Sequence, residues 1–314
     1  MEEALYSDLG FFNTDQVRSD KEGDFLTSPE VSKYFGKIIR NWIHSESNLK
    51  NIIEIGSGTG SLIEQIGIKE ITAVELSSTA REELIKKGID THTTIDELTT
   101  KTSDLIFGNE ILDNIPCSIG LYKDEGWYEK VVLLEENSLA YGLRPIRNEE
   151  LDWINKNNIV PNEDYEFEIQ VNTDKFLNSV VKKINPEKIL LFDYGYEQKN
   201  RDKRMYSSLL RTYKNHHLSV DPIDDPGNID ITYDVNFSSI SSELKYLGYD
   251  VTLKLQRDFL LDNGFNIFFD ELQEKYIDAE GIEKLKINSE LNGMKAIVDS
   301  NGLGGFYCLI AEKL

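Results

Sequence analysis

A glycine-rich loop near residue 56 constrains the fold of this chain more than any other feature of its sequence. Residues 51–55, with isoleucine at three of the five positions, form a predicted strand, and glycines follow it at positions 56, 58 and 60. Apolar side chains at helical spacing begin at Leu62, so the loop joins a strand to a helix. Because glycine tolerates a tight turn and lets the backbone approach a ligand, this order indicates a cofactor-binding βα unit.

The same strand–helix alternation continues along the chain and predicts an α/β fold. Further strands are predicted at 71–75, 91–93, 104–108 and 188–193, and such alternation favours a parallel sheet covered on both faces. The strand–helix alternation is interrupted at 117–185, which contains a predicted hairpin with strands at 126–135 and 139–143. We therefore divide the chain into residues 1–116, with N-terminal helices and the cofactor-binding half; 117–185, an inserted hairpin and helical substrate region; and 186–314, the second half with an active-site loop at 196–232.

The spacing of the glycines discriminates between cofactors. A dinucleotide fingerprint would need glycine at position 61, where this chain has Ser61. The pattern from residue 54, E-x-G-x-G-x-G, is instead typical of Rossmann-like methyltransferases that use S-adenosylmethionine (SAM). It predicts SAM as the cofactor and makes a nicotinamide dehydrogenase the weakest alternative. The predicted cofactor residues of the loop are Glu54, Gly56, Gly58 and Gly60.

An acidic residue at the end of the second predicted strand supports the same cofactor. Glu75 is placed to accept hydrogen bonds from both ribose hydroxyls, because a carboxylate has two acceptor oxygens and no donor.

The charge balance limits the partners. The chain has 34 basic and 56 acidic residues, a net charge of −22, which disfavours nucleic acid and membrane surfaces and favours a basic protein partner. The two cysteines, Cys117 and Cys308, lie too far apart in sequence to suggest a metal site or a disulfide framework. Since no signal peptide or long apolar run is recognisable, we expect a cytoplasmic protein.

Polar residues follow the predicted strand 104–108. Asn109, Glu110 and Asp113 are catalytic candidates, because chemistry collects at the carboxyl ends of parallel strands. In a helical turn Glu110 and Asp113 would share a face, and two carboxylates suit the planar donors of a guanidinium. Alternatively, Glu110 caps a helix and Asp113 is solvated.

Several motifs spread over nearly the whole chain resemble the MidA family of SAM-dependent methyltransferases. The mitochondrial members of that family are complex I assembly factors that symmetrically dimethylate arginine in a subunit of the complex. The matching segments are 23–32 (GDFLTSPEVS), 54–60 (EIGSGTG), 74–77 (VELS), 109–116 (NEILDNIP), 126–129 (GWYE), 193–195 (DYG), 210–216 (LRTYKNH) and 226–232 (PGNIDIT).

The resemblance implies a sheet of seven strands, the last antiparallel, with an inserted substrate region. It also implies roles for residues outside the glycine loop. Thr27 and Ser28 would lie near the cofactor carboxylate, with Asn109 beside the cofactor, and His216 would join Asn109, Glu110 and Asp113 as a catalytic residue. The residues implied in substrate binding are Asp193, Tyr194, Arg211 and Asp230.

The sequence therefore predicts a methyltransferase whose client is a basic protein or peptide bearing arginine, in which Glu110 and Asp113 hold the guanidinium. Positioning dominates such a reaction, because methyl transfer from a sulfonium needs little acid–base assistance. Two alternatives stay open. One is a methyltransferase for a small molecule or another side chain, and the other is a SAM-binding assembly chaperone with little turnover.

Overall fold

The computed structural model describes residues 1–13, 27–46, 49–136, 138–161, 163–203, 209–214, 217–218 and 221–314. The α-helices of these ranges are α1 (Glu2–Tyr6), α2 (Ser28–Val31), α3 (Tyr34–Ser45), α4 (Ser61–Ile66), α5 (Ser78–Lys86), α6 (Asn148–Lys156), α7 (Val171–Ile184), α8 (Phe237–Tyr246), α9 (Gln256–Asp262), α10 (Phe265–Asp278) and α11 (Gly281–Val298). The strands are β1 (Ile52–Ile55), β2 (Ile71–Val74), β3 (Thr91–His92), β4 (Leu105–Asn109), β5 (Ser118–Lys123), β6 (Gly126–Glu135), β7 (Ser138–Pro145), β8 (Tyr165–Ile169), β9 (Lys188–Asp193), β10 (Gly195–Tyr196), β11 (Leu210–Lys214), β12 (His217–Leu218), β13 (Asp230–Tyr233), β14 (Val235–Asn236), β15 (Tyr249–Leu255) and β16 (Tyr307–Lys313).

Seven of these strands form the central sheet, in the order β3-β2-β1-β4-β9-β16-β15. The pairs from β3 to β9 are parallel, whereas β16 runs antiparallel to both of its neighbours. The predicted α/β sheet of seven strands with an antiparallel last strand is confirmed. The strand order reverses between β1 and β4, and ligands of open α/β sheets bind at such a switch point.

Helices cover both faces of this sheet. In α3, residues Phe35, Ile38, Ile39 and Trp42 are buried on one side of the helix, because apolar residues three or four apart share a face. On the opposite face of the sheet, Val180 of α7 packs with the buried apolar residues of β1 and β4. Within the described ranges, no helix is long and apolar enough to cross a membrane.

The region between β4 and β9 contains a second sheet of four antiparallel strands, in the order β7-β6-β5-β8. The predicted hairpin is confirmed as β6 and β7, which pair from Glu135↔Ser138 to Tyr128↔Pro145. The small sheet ends at Ile169, and α7 then contributes buried residues to the core of the main sheet. The division at residue 185 therefore assigns to the insertion a helix that packs on the main sheet, because an amphipathic pattern does not specify which sheet it covers.

The segment predicted as the active-site loop, 196–232, contains regular structure in its described part. β11 pairs antiparallel with both β12 and β13, forming a small three-stranded sheet. β13 continues towards β14, which pairs with β10 directly after the end of β9.

Candidate active site

A cavity of about 360 Å³ opens at the carboxyl ends of β1, β2 and β4. Its floor consists of the residues that end these strands, among them Ile55, Val74 and Asn109. This is the edge of a parallel sheet where ligands are expected, and its volume is within the range of small-molecule sites.

The glycine loop forms one side of the cavity. Gly56 and Gly58 line the cavity with positive φ angles of 70° and 51°. A Cβ atom on Gly56 would lie 2.3 Å from Cγ2 of Ile111, so a larger residue does not fit there. Gly60 precedes α4 and packs against α5, where a Cβ atom would lie 2.7 Å from Cδ2 of Leu84. Gly60 is not among the cavity-lining residues, and its cofactor contact stays a prediction.

Glu75 follows β2 and holds the glycine loop in place. Its Oε2 accepts a hydrogen bond from the Gly58 amide at 2.8 Å, and its Oε1 accepts one from the Ser77 amide at 2.7 Å. Burial raises the pKa of Glu75, and these backbone donors oppose that rise. Each carboxylate oxygen can accept more than one hydrogen bond, so Glu75 retains acceptor capacity towards the cavity it lines.

Glu54 provides a test of whether the site fits SAM. Its side chain lines the cavity but is only 2% exposed, and its Oε2 has no hydrogen-bond partner among the described residues. Burial raises the pKa of this carboxyl well above its ordinary value. A buried acceptor that faces a cavity requires a donor from the ligand, and the amino group of SAM is such a donor. The donor requirement of Glu54 and the free acceptor capacity of Glu75 therefore fit this cofactor.

The two candidates at the start of α2 have different surroundings. Thr27 lines the cavity and forms a capping box with Glu30, in which the Thr27 amide donates to Oε2 at 3.1 Å. Ser28 is fully buried and lies outside the cavity lining, and its hydroxyl is 3.1 Å from Nε2 of Gln256. Gln256 also donates to the Ile297 carbonyl at 3.0 Å, so Ser28 connects α2 to α9 and α11.

Glu110 stands at the end of β4 in an unusual backbone conformation. Its φ of 52° is left-handed, which is rare outside glycine and concentrates at functional sites. Its amide donates to the Phe192 carbonyl of β9 at 2.8 Å, and its side chain lines the cavity. Oε1 accepts a hydrogen bond from Nδ2 of Asn109 at 3.0 Å, whereas Oδ1 of Asn109 is buried without a partner among the described residues.

The electrostatic surroundings of Glu110 favour its neutral form. Burial raises the pKa of Glu110 to about 8, the negative charge of Asp113 contributes to the rise, and the hydrogen bond from Asn109 opposes it. The segment after Glu110 is a turn rather than the helix considered above. Glu110 and Asp113 are nevertheless close enough for the charge of Asp113 to affect the pKa of Glu110.

Asp113 lies behind the cavity lining, in a network with Tyr194 and Arg211. Its Oδ2 accepts a hydrogen bond from the Tyr194 hydroxyl, and its Oδ1 is buried without a partner among the described residues. Burial raises the pKa of Asp113, opposed by the Tyr194 hydrogen bond and the charge of Arg211. The Arg211 guanidinium lies 4.5 Å above the Tyr194 ring and 2.8 Å from Asp234. The hydrogen bond from Tyr194, whose ring lies against Arg211, therefore fixes the orientation of the Asp113 side chain.

Asp193 and Asp230 hold the loop after β4 and do not line the cavity. Oδ2 of Asp193 accepts the Leu112 amide at 2.8 Å, and Oδ1 accepts the Tyr194 amide at 2.9 Å. Oδ1 of Asp230 accepts Nδ2 of Asn114 at 2.9 Å. Their proposed contacts with substrate stay predictions, and His216 lies outside the described residues.

Aromatic residues that the sequence analysis missed complete the cavity wall. Tyr6 and Phe12 come from the N-terminal segment, and Phe176 comes from α7. The Tyr6 hydroxyl donates to the Asn114 carbonyl at 3.2 Å, across 108 residues of sequence. No motif surrounds these aromatics, so only their apolar character was visible in the sequence.

The raised pKa of Glu110 predicts a pH-dependent stability difference. We expect ligand-free Glu110→Gln protein to be about as stable as the wild type at pH 4 and more stable at pH 8. Between the ordinary pKa of 4.5 and the folded value of about 8, the folded state retains a proton that the unfolded chain releases. The stability of the wild type therefore falls as the pH rises through this window, and glutamine removes that loss. Urea unfolding at pH 4, 6 and 8 measures the difference, with the exposed Glu274→Gln as control. A difference that does not change with pH would refute the raised pKa.

Comparison with known proteins identifies relatives of the whole site region. Residues 36–252 match the family model described as "Putative S-adenosyl-L-methionine-dependent methyltransferase". The chain is 25% identical to the mitochondrial protein arginine methyltransferase NDUFAF7 homolog of Caenorhabditis elegans, over 81% of this chain and 68% of that protein. It is 23% identical to the Drosophila melanogaster homolog, over 70% of this chain and 60% of that protein. These findings confirm the resemblance to the MidA family.

A solved structure supports the fold. The crystal structure of a protein from Burkholderia thailandensis bound to S-adenosyl-homocysteine superimposes with a TM-score of 0.83, over 100% of this chain and 86% of that chain. The two sequences are 21% identical, so this likeness establishes the fold alone.

The relatives contradict the predicted compartment. The proteins from C. elegans, D. melanogaster and Danio rerio are all named as mitochondrial. The prediction of a cytoplasmic protein was wrong, because the lack of a recognisable signal peptide or long apolar run does not establish the compartment of a protein.

The family model covers 217 of the 314 residues and includes the glycine loop, Glu75 and Glu110. The chain therefore belongs to this family of S-adenosyl-L-methionine-dependent methyltransferases, and its cofactor is S-adenosyl-L-methionine.

Proposed function

We propose that this methyltransferase modifies arginine side chains of a protein client. The observation that carries the proposal is the group of acceptor atoms at the end of β4. Glu110 lines the cavity, and Oδ1 of Asn109 is buried without a hydrogen-bond partner among the described residues. Asp113 is close enough for its negative charge to act on Glu110. A guanidinium has five hydrogen-bond donors and no acceptor, so it complements such a group better than a neutral substrate would.

The residues of the chain would act mainly by orienting the arginine. When bound, SAM supplies an electrophilic methyl group. Ionised Glu110 would bond to the guanidinium and concentrate its positive charge away from the attacking nitrogen. The Glu110 carboxylate can also accept the proton that this nitrogen loses. Tyr194 and Arg211 would hold Asp113 in position behind Glu110.

The names of the relatives support arginine as the acceptor. The proteins from C. elegans, D. melanogaster and D. rerio are all named protein arginine methyltransferases, at 23 to 25% identity. Symmetric dimethylation, and a client that belongs to a respiratory complex, are part of this proposal. The net charge of −22 favours a basic client.

One observation favours a second candidate, a methyltransferase for a small molecule. The wall formed by Tyr6, Phe12 and Phe176 is aromatic, and small-molecule sites are lined mostly by such side chains. The hydrogen-bond acceptors around Glu110 argue for arginine. An apolar substrate would leave these buried oxygens without hydrogen-bond donors.

Mass spectrometry of methylated arginine in cells tests the proposal. We expect a small set of dimethylarginine sites to disappear when the gene is deleted, to return with the wild-type gene, and to stay absent with Glu110→Gln. Expression of the exposed Glu274→Gln variant serves as the control and should restore the sites. If no arginine site changes, while the purified protein methylates a metabolite from a cell extract, the small-molecule candidate replaces this proposal.

A further inference from the structure

The β6–β7 hairpin carries an apolar face that is exposed to solvent. Leu134 pairs with Leu139, and Val132 pairs with Tyr141, and directly opposed residues of an antiparallel pair lie on the same face. With Leu143 they form what we call the hairpin face, and Leu134 is 75% and Val132 50% exposed. These five side chains make a patch on the order of several hundred Å², a size that on monomeric proteins is often functional.

The hairpin face lies beside an unpaired strand edge. β7 stands at the edge of the four-stranded sheet, and among the described residues it pairs only with β6. An exposed edge strand with alternating apolar side chains is a template for another strand, and proteins usually protect such edges. Its unpaired backbone groups and the apolar side chains of the hairpin face together suit an extended peptide.

Acidic residues surround the hairpin face. The Tyr141 hydroxyl donates to Oδ1 of Asp221. Burial raises the pKa of Tyr141, and the charges of Asp221, Asp224 and Glu166 add to the rise. Glu135 and Glu136 are exposed at the end of the hairpin. The basic residue on this face, Lys130, is paired with Glu166 at 3.1 Å. Residues 118–169 as a whole contain 12 acidic and 5 basic residues, a net charge of −7.

We propose that β7 binds an extended segment of the protein client as an added strand, in which apolar and basic residues share one face by occupying every second position. The apolar side chains would cover the hairpin face, and the lysine or arginine side chains would meet the surrounding carboxylates. A second copy of this chain would fit less well, because its acidic residues would repel those around the hairpin face. The inference rests on the proposed protein client, but its test requires neither methylation nor SAM.

The test measures binding of a labelled nine-residue peptide by fluorescence anisotropy. Valine and lysine take turns at every second position of this peptide, with threonine between them, so that both lie on the face that meets the hairpin face. We expect Leu134→Ser/Leu139→Ser to weaken binding about tenfold or more, because the substitutions remove two apolar side chains from the hairpin face without changing its charge. The matched control is Ile282→Ser/Leu285→Ser on α11, whose side chains are 73% and 70% exposed. A peptide of the same length with a central proline should also bind weakly, because proline cannot donate to the added strand.

Three results would overturn the inference. The first is absence of measurable binding to the wild type at about millimolar peptide, and the second is equal binding by the two double-serine variants. The third is a wild-type dimer, detected by sedimentation, that the Leu134→Ser/Leu139→Ser variant dissociates, since the hairpin face would then belong to a second copy. If the peptide binds as expected but no arginine methylation is found in cells, the proposed function fails and the binding surface stands.

Discussion

Replacing Glu110 with glutamine is expected to lower the turnover number of methyl transfer by about a hundredfold or more, the usual effect of removing one transition-state contact. Glu110 lines the cavity, and burial raises its pKa, so a cationic substrate there would stabilise its ionised form. Glutamine has nearly the same shape as the neutral carboxyl and can retain the contact with Asn109. The fold and the glycine loop should therefore be preserved, and the loss should appear in the reaction rather than in folding.

Two measurements separate this role from cofactor binding. Calorimetric titration with S-adenosyl-homocysteine should give a Kd within about twofold of the wild type, since the contacts of Glu54 and Glu75 are unchanged. Turnover is followed on the arginine sites identified in cells, with the exposed Glu274→Gln as control. Unchanged turnover in Glu110→Gln would remove Glu110 from the mechanism, whereas an equal loss of cofactor affinity would make it a cofactor residue.

The second large effect is expected at the glycine loop, where Gly56→Ala should weaken SAM binding by about a hundredfold. Two causes combine, because φ is 70° at this position and the new Cβ would lie 2.3 Å from Cγ2 of Ile111. The left-handed conformation costs about 1–2 kcal/mol for a residue with a Cβ, and it lowers affinity only to the extent that the loop relaxes out of its cofactor-binding shape. Each 1.4 kcal/mol of binding energy lost in this way is tenfold in affinity. The clash adds to this cost, because either the loop or Ile111 must move, and both line the cavity.

Gly88 provides a matched control for this prediction. It has a similar φ of 75°, but a Cβ atom there would meet nothing within 4 Å, and Gly88 does not line the cavity. Gly88→Ala should therefore lose stability through its backbone conformation while it binds S-adenosyl-homocysteine as the wild type does. Thermal unfolding and calorimetric titration of both variants test this difference. Equal affinities for the two variants would contradict the role assigned to Gly56.

The sequence by itself determined the fold class, the cofactor and the position of the cofactor loop. These features depend on short stretches of chain. A buried strand is a run of mostly apolar residues, and an amphipathic helix repeats every three to four residues. The glycine loop differs from a dinucleotide loop at one position, residue 61, where this chain has serine. Each signal is complete within one element, so no knowledge of distant contacts was needed.

The tertiary structure alone decided how the rest of the site is built. Tyr6 lines the cavity and bonds to Asn114, which lies 108 residues away in sequence. Asp193, which the family resemblance implied in substrate binding, accepts hydrogen bonds from the backbone of the loop after β4. The left-handed φ of Glu110 likewise occurs where its amide bonds to β9, which lies far away in sequence. Leu134 is exposed because no other described element covers it. A side chain's partners depend on which elements pack together, and periodicity does not specify that packing.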